Sequence, residues 1–497
     1  MNNGKAFLAC SGFAFAAILL NGTFAQQLKA QGNGTSAHHA GHDMADMHEK
    51  KDKAGSPVAG KTADAPEDMS QMDHSKMPGM SGHEGMPGMK HGMDMNEAGK
   101  YLMNLSSGTS MNPQSWPMPM LMPRLGSWNL MIMGQGFLVD TQQSGPRGGD
   151  KFYSPNWGMV SAEHSFLGGG FMFQSMFSLD PLTITNRRYP LLFQTGETAY
   201  GKALVDAQHP HDLIMGLGMN YAHSLGENTM LHFYYAPVGD PALGPVAFPH
   251  RASALELPQA TLGHHWQDST HIADNVLTVA LRHKWFRLEA SGFYGTEPNE
   301  NRWNFDWGPV NSYSGRFSVF PSKNWMAQIS AGRLADPERP FFVGGHAETH
   351  GDVVRTTASV HYTRPMEHGN AWSTSLIWGQ NHVVQTDRNT NSYLVETMYP
   401  LTKKDFLTGR VEVVDKDELF ANDPDLQAKL AQTAGSSFRI QGYTAGYTRD
   451  IGFFKNVETG VGANFTAYAI PSAIKPYYGD HPWGANVFLR VRLKPAE

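Results

Sequence analysis

Soft-metal chemistry is the first activity that this sequence suggests, because methionine and histidine are concentrated between residues 38 and 95. This segment holds seven histidines and ten methionines, and it contains no aromatic residue. Methionine is ordinarily a core residue, but here it stands beside Lys, Asp, Gly and Pro, with no apolar neighbour to pack against. Thioether sulfur is a soft ligand that suits Cu(I), and the same softness suits Ag(I), whereas imidazole suits Cu(II) and Zn. We therefore predict a metal-binding arm.

The spacing of these residues favours coordination without a folded scaffold. The pattern M-x-x-M recurs along the arm, so two or three thioethers and an imidazole can converge on one ion. The predicted ligands are His38, His39, His42, Met44, Met47, His48, Met69, Met72, His74, Met77, Met80, His83, Met86, Met89, His91, Met93 and Met95. A copper ion is the expected cofactor, and no organic cofactor is implied. The alternative interpretation is a disordered tether whose biased composition serves no binding function.

The N-terminus reads as a secretory signal peptide over residues 1–25. Lys5 supplies the positive charge, residues 6–20 form a short apolar run, and Thr23, Phe24 and Ala25 give a small-x-small cleavage site. The only cysteine, Cys10, lies inside this signal. The secreted chain is therefore expected to lack thiolates, so any bound metal must use methionine, histidine and carboxylate ligands.

Composition argues against several classes of function. A net charge of −6 and an isoelectric point near 6.4, with no arginine-rich tract, argue against a nucleic-acid partner. No apolar run after the signal is long enough for a membrane-spanning helix. Nucleophile-elbow, zincin, Walker and Rossmann motifs are missing from the sequence, so we do not expect an enzyme.

Residues 121–497 are predicted to form a transmembrane β-barrel. Segments of about ten residues alternate apolar and polar side chains, which is the pattern of half-exposed strands. Short links alternate with long ones, as in outer-membrane barrels with tight periplasmic turns and long external loops. Sixteen antiparallel strands fit this pattern, and fourteen or eighteen would need one hairpin to be miscounted. The predicted organisation is a signal peptide (1–25), a disordered Met/His-rich periplasmic segment (26–120) and the barrel (121–497).

The alternation also predicts charged side chains that point into the lumen. They are Arg287, Glu289, Arg316, Arg355, Glu396, Arg410, Glu412, Arg439, Arg490 and Arg492. Mixed charges of this kind tune the selectivity of an open pore, or else form salt bridges across a filled barrel. The sequence leaves both interpretations open, because it does not reveal what occupies the lumen.

A second group of metal-capable residues lies in two long loops that one hairpin joins. Its members are Asp206, His209, His211, His264, His265 and His271. Closely spaced imidazoles can converge on one ion from an extended backbone. The alternative is structural, with the histidines bonded to backbone carbonyls and packed on aromatic rings inside a folded-in loop.

The Met/His-rich segment with its MPGM repeats, followed by a barrel, resembles the outer-membrane B component of periplasmic copper-resistance systems. The resemblance covers about the first quarter of the chain and implies copper sequestration or handling at the outer membrane. The barrel, with DAQHPHD, GPVAFPHR, GHHWQDSTH and ENRWNFD, resembles an uncharacterised family of secreted bacterial barrel proteins.

The predicted function is copper or silver binding and tolerance at the bacterial outer membrane. Its expected partners are membrane lipid, copper or silver ions, and a periplasmic copper protein. The rival function is that of a general porin or structural barrel whose arm is only a tether.

Overall fold

The computed structural model describes residues 95–338, 340–343, 346–348, 351–367, 370–452 and 454–494. Sixteen long strands form the wall of a closed barrel. They are β1 (Trp128–Gln143), β2 (Asn156–Phe166), β3 (Gly169–Phe177), β4 (Ile214–Gly226), β5 (Thr229–Gly239), β6 (Ala273–His283), β7 (Phe286–Tyr294), β8 (Ser312–Ser322), β9 (Trp325–Leu334), β10 (Val353–Pro365), β11 (Ala371–Val383), β12 (Arg388–Pro400), β13 (Asp405–Lys416), β14 (Phe438–Asp450), β15 (Val457–Ala469) and β16 (Trp483–Leu493).

Every wall strand pairs antiparallel with its neighbours, and β1 pairs with β16 to close the sheet. In this closing pair Gln135 stands opposite Arg492 and Val139 stands opposite Phe488. Closure removes the unpaired strand edges that would otherwise carry unsatisfied backbone groups in lipid. The predicted closed antiparallel barrel of about sixteen strands is therefore confirmed.

Strand β7 shows how the alternating sequence builds the wall. Arg287 and Glu289 are buried inside the barrel, whereas Leu288 between them is 49% exposed on the outer face. Because successive side chains in a strand point to opposite faces, the ionised groups face the lumen and the apolar groups face outward. An apolar outer face over a polar interior is the pattern of a barrel that sits in lipid.

The links between strands alternate in length at the two ends of the barrel. Two-residue turns close β2 to β3, β4 to β5, β6 to β7 and β8 to β9, and Leu167, Asn228 and Lys284 adopt positive φ there. Residues 178–213 and 240–272 form the two longest links, both at the opposite end. One predicted long link is short: only residues 384–387 join β11 to β12, because both strands extend further than the sequence pattern indicated.

The remaining elements are short and do not belong to the sixteen wall strands. The helices are α1 (Glu97–Leu102), α2 (Asp180–Thr183), α3 (His264–Gln267), α4 (Pro424–Ala434) and α5 (Lys475–Tyr478). Single 3₁₀ turns occur at Thr185–Arg187, Phe248–His250, Ala252–Ala254, Ser269–His271 and Ser472–Ile474. Two hairpins, Tyr189–Ala199 with Lys202–Gln208 and Phe341–Val343 with His346–Glu348, and the short strands Arg124–Leu125 and Lys151–Tyr153 complete the fold. Within the described ranges, no helix has the length and apolar character needed to cross a bilayer.

Residues 95–123, here called the plug segment, lie inside the barrel. Asn96 is the N-cap of helix α1, and its side chain accepts a hydrogen bond from the Gly99 N–H at 2.8 Å. The Arg316 guanidinium on β8 donates to Thr109 Oγ1 at 2.9 Å, and Ser115 Oγ donates to the Thr363 carbonyl on β10 at 3.0 Å. These bonds connect the plug segment to strands on different parts of the wall.

The prediction of disorder through residue 120 is wrong for residues 95–120. Tyr101, Leu102, Met103 and Trp116 are buried against inward-facing wall side chains, and these contacts offset the entropy of ordering the segment. The partners of these residues lie far away in the sequence, so local composition did not reveal them. Residues 26–94 lie outside the described part of the chain.

The long link of residues 240–272, here called the lumen loop, folds into the barrel and is almost entirely buried. Its groups bond to side chains around the wall. Gln135 on β1 donates to the Leu255 carbonyl at 3.0 Å, Ser253 bonds to Ser375 on β11 at 2.7 Å, and the Ala242 N–H donates to Ser291 on β7 at 2.8 Å. The lumen loop therefore spans the interior.

Candidate functional site

Nine of the predicted lumen charges are buried inside the barrel. They are Arg287, Glu289, Arg316, Arg355, Glu396, Arg410, Glu412, Arg490 and Arg492. Arg316 holds Glu289 in a two-pronged ion pair, with its Nε at 2.8 Å and its Nη2 at 2.9 Å from the two carboxylate oxygens. Bidentate pairs of this kind are short and directional, so they fix both side chains.

Most of these charges bind the lumen loop rather than line open water. Arg251 of the loop lies 3.1 Å from Glu396 on the wall and 3.1 Å from Asp268 of the loop. Arg490 pairs with Glu256 of the loop, and Glu412 accepts the Leu262 N–H at 2.6 Å. The geometry matches the second sequence interpretation, in which the charges bridge a filled barrel.

Arg439 was predicted to face the lumen, and the structure contradicts that prediction. Its side chain is 59% exposed and pairs with Asp415 at 2.8 Å. The neighbouring residues Phe438 and Ile440 are buried instead, because they pack on the apolar part of the lumen loop around Leu262. Where the residues that fill the barrel are apolar, the apolar side chains of the strand face inward and its charged side chain faces outward.

The five histidines predicted from the two long loops converge in one place. This histidine cluster consists of His209, His211, His264, His265 and His271. Ring centroids of His264 lie 5.3 Å from those of His265 and His271, and the His211 centroid lies 5.6 Å from that of His271. Phe248 packs against three of these rings, including His211 at 5.8 Å.

Each histidine of the cluster has a carboxylate or carbonyl oxygen close to a ring nitrogen. His264 Nδ1 lies 2.8 Å from Asp268, His211 Nδ1 lies 3.0 Å from Asp180, and His271 Nδ1 lies 2.8 Å from the Asp268 carbonyl. Two further pairs join His209 to Glu197 at 2.8 Å and His265 to Glu297 at 3.4 Å. An acceptor at one ring nitrogen fixes the tautomer and orientation of the ring.

Burial controls the protonation of most of the cluster. It lowers the pKa of His264 to about 4, lowers the pKa of His271 well below its usual value, and lowers the pKa of His209. Burial also opposes the charged form of His265, but the carboxylates of Glu297 and Glu197 raise its pKa. The cluster therefore combines neutral imidazoles with one that favours its charged form.

Asp206 lies apart from the histidine cluster. Its carboxylate is 2.7 Å from the Arg147 guanidinium and accepts the Phe193 N–H at 2.8 Å. Burial raises the pKa of Asp206 to about 6. Its contacts, which include the Tyr478 hydroxyl, therefore lie with groups other than the histidines, and its predicted place in a metal site stays a prediction.

Metal binding by the histidine cluster stays a prediction. No three His, Asp or Glu side chains within the described ranges are arranged to hold an ion. The structural interpretation of these loops predicts both the ring packing on Phe248 and the bonds to carboxylates and carbonyls.

The predicted ligands of the arm lie outside the described residues, except Met95. The Met95 side chain is buried among apolar residues of the plug segment and wall. Packing therefore accounts for Met95, and its predicted role as a ligand stays a prediction.

Sequence reasoning missed a methionine cluster inside the barrel. It is the apolar core that surrounds the plug segment, and thirteen of its twenty-five buried members are methionine. They are Met95, Met103, Met111, Met118, Met120, Met131, Met133, Met159, Met172, Met176, Met215, Met230 and Met398. The other four apolar clusters in the described structure contain no methionine. A usable sequence signal was present, since methionine recurs in PMPMLMP (117–123) and alternates at Met131 and Met133.

Comparison with known proteins finds likeness only at the level of solved structures. No protein-family model matches the chain, and no curated protein matches it. Similar solved structures include the outer-membrane expressed OmpT of Vibrio cholerae (8% identity, 75% of this chain and 100% of that chain, TM-score 0.43). They also include Salmonella typhi OmpF in complex with daunomycin (11%, 75% and 100%, TM-score 0.44) and Pseudomonas putida OprB (10%, 74% and 94%, TM-score 0.46).

Proposed function

We propose that this chain is an outer-membrane barrel that binds copper or silver through a periplasmic Met/His-rich arm and contributes to metal tolerance. The observation that carries the proposal is the distribution of methionine. Nine methionines lie between residues 44 and 93, and thirteen others, Met95 among them, lie in one buried cluster. Packing alone gives no reason for the first group, and soft-ion coordination gives one.

Two features support the location and orientation. The outer face of the wall exposes apolar side chains such as Leu288, Leu376 and Val487, which suits lipid contact. The plug segment bonds to short turns, since Asn96 donates to the Gly169 carbonyl at 3.0 Å and the Ser115 N–H donates to the Lys323 carbonyl at 2.9 Å. Short turns face the periplasm in bacterial barrels, so the arm would leave the barrel on that side.

The chemistry divides between two ligand types. Thioethers of the arm would hold Cu(I) or Ag(I), and its imidazoles would hold Cu(II). The resemblance to the B component of copper-resistance systems agrees with this assignment and suggests a periplasmic copper protein as the partner that exchanges ions with the arm.

The test uses the full-length chain in detergent, with leucine at the arm methionines from Met44 to Met93. Leucine keeps the side-chain volume and removes the sulfur, so Cu(I) affinity is expected to fall severely while the barrel stays folded. Glutamine at His38, His39, His42, His48, His74, His83 and His91 is expected to weaken Cu(II) instead. Unchanged affinity for both ions in both series would contradict the proposal.

The second candidate function is that of a general porin, since a barrel of sixteen strands is wide enough to hold an aqueous channel. The plug segment and the lumen loop occupy the interior, so this function requires that water-filled paths remain beside them. Large, steady conductance steps in planar bilayers, without added metal, would favour the porin over the copper-binding barrel.

A further inference from the structure

Three methionines stand in one row across the first three wall strands. In the strand register, Met133 on β1 lies directly opposite Met159 on β2, and Met159 lies directly opposite Met176 on β3. All three are buried on the inner face of the wall. Directly opposite residues on one face have Cβ atoms about 4.5–5.5 Å apart, within reach of a common ion for side chains as long as methionine.

A buried imidazole of the lumen loop faces this row. His250 Nε2 lies 3.3 Å from Met176 Sδ, and its ring packs on Trp157 with centroids 4.4 Å apart. His250 is 6% exposed, and its Nδ1 has no hydrogen-bond partner. A thioether is a weak acceptor, so this buried ring forgoes good hydrogen bonds, which is unfavourable for a buried polar group.

Gap filling is the ordinary reason for buried methionine, because the flexible side chain adapts to irregular cores. The other apolar clusters of the barrel are filled instead with residues such as leucine, phenylalanine, tyrosine and valine. Segregation of methionine to one cluster, together with a histidine whose ring nitrogen meets sulfur, therefore calls for a chemical reason.

We propose that Met133, Met159, Met176 and His250 form a binding site for a soft monovalent cation, Cu(I) or Ag(I), inside the barrel. This inference rests on the proposed function and deepens it, because it assigns a second site for the same ions beyond the arm. Three thioethers and one imidazole form a neutral, soft donor set. The set contains no carboxylate, so Mg²⁺ and Ca²⁺ are poor occupants.

The surrounding residues favour a partly dehydrated ion. The Trp157 ring covers one side of His250, and Gln174 Nε2 lies 3.2 Å from Met159 Sδ, beside the row. Cu(I) and Ag(I) exchange water for thioether sulfur readily, so a site with little water favours them over harder ions.

The experiment is a silver titration of the full-length chain in detergent, in chloride-free buffer, with calorimetric stoichiometry. The row variant carries Met133→Leu, Met159→Leu and Met176→Leu. Met326→Leu is the matched control, since Met326 is equally buried but lies outside the methionine cluster. We expect the row variant to bind one Ag(I) fewer than the wild type and the control to bind the same number.

A chain with leucine at the arm methionines separates this inference from the proposed function. It should lose the arm ions and keep the ion that the row variant loses. If it keeps every ion, the arm assignment fails while the lumen site stands. If the row variant binds as many ions as the wild type, the lumen site is wrong.

Heat-modifiable migration on gels checks that each barrel has folded. Should the row variant fail to fold, the single substitution His250→Gln replaces it, since it removes the imidazole and keeps the row. A silver stoichiometry in that variant equal to the wild type, with equal affinity, would overturn the inference.

Discussion

The methionine cluster and the lumen loop fill the same barrel by different physical means. Charged, hydroxyl and amide side chains on β1, β7 to β13 and β16 bond to residues of the loop. The methionine cluster relies on contact between flexible thioethers, and few of its members have polar partners. Buried ion pairs fix one geometry, whereas methionine side chains adapt to what lies between them. We therefore assign structural rigidity to the ion pairs of the loop, and we propose that ligand binding belongs to the methionine cluster together with His250 of the loop.

The largest effect should come from breaking a buried ion pair of the loop. Arg251→Ala leaves the carboxylates of Glu396 and Asp268 without their shared partner, and the free energy of unfolding should fall by about 3–5 kcal/mol. Urea unfolding of the purified barrel measures the loss. Arg439→Ala is the control, since its pair with Asp415 is exposed and should contribute about 0–1 kcal/mol. Equal losses of unfolding free energy in both variants would contradict this difference between buried and exposed ion pairs.

The second prediction uses pH, because histidines titrate and thioethers do not. His264 faces Asp268, His209, His265 and His271, and burial lowers its pKa to about 4. The unfolded chain takes up a proton near pH 6.5 and the folded chain does not, so the contribution of His264 to stability is lost as pH falls from about 6.5 to about 4. His264→Gln should reduce this loss by about 2–3 kcal/mol. If the stability of the variant depends on pH in the same way as that of the wild type, His264 is not held neutral in the folded chain.

A third prediction concerns stabilisation by metal. Silver at about 100 times its dissociation constant should raise the free energy of unfolding by about 2.7 kcal/mol for each site that exists only in the folded barrel. The site at Met133, Met159 and Met176 exists only in the folded barrel, so the row variant should lose this increment. The variant Met326→Leu should retain it. Thermal unfolding with and without silver measures the difference. An increment that survives in the row variant would place the stabilising ion elsewhere.

The smallest effect is expected for the row without metal. Each Met→Leu change at Met133, Met159 and Met176 conserves volume and should cost less than about 1.5 kcal/mol. Denaturant midpoints of the metal-free proteins test this expectation. A cost of several kcal/mol for each change would mean that the thioethers serve packing rather than coordination.

The wall could be predicted from sequence because its signal is local. Alternation over ten residues places Arg287 inside and Leu288 outside, whatever fills the barrel. The filling depends on contacts between distant residues, such as the pair of Arg251 with Glu396, 145 positions apart. Arg439 was misplaced for the same reason, since the apolar loop residues inside the barrel decide which face of β14 turns inward.

The site was predictable where one hairpin brings its parts together. The loops before β4 and after β5 flank that hairpin, so His211 and His271 were expected to approach each other, and their ring centroids lie 5.6 Å apart. The row of Met133, Met159 and Met176 could not be predicted from sequence, because it depends on the register of three strands. One residue of slip would turn Met159 out of the barrel.

X-ray absorption at the copper edge of the full-length chain, loaded with Cu(I) and freed of excess metal, tests the central claim most directly. The account predicts that copper is retained and that sulfur dominates its first coordination shell, with a smaller nitrogen contribution from imidazole. Retention of no copper, or a first shell of nitrogen and oxygen alone, would contradict it.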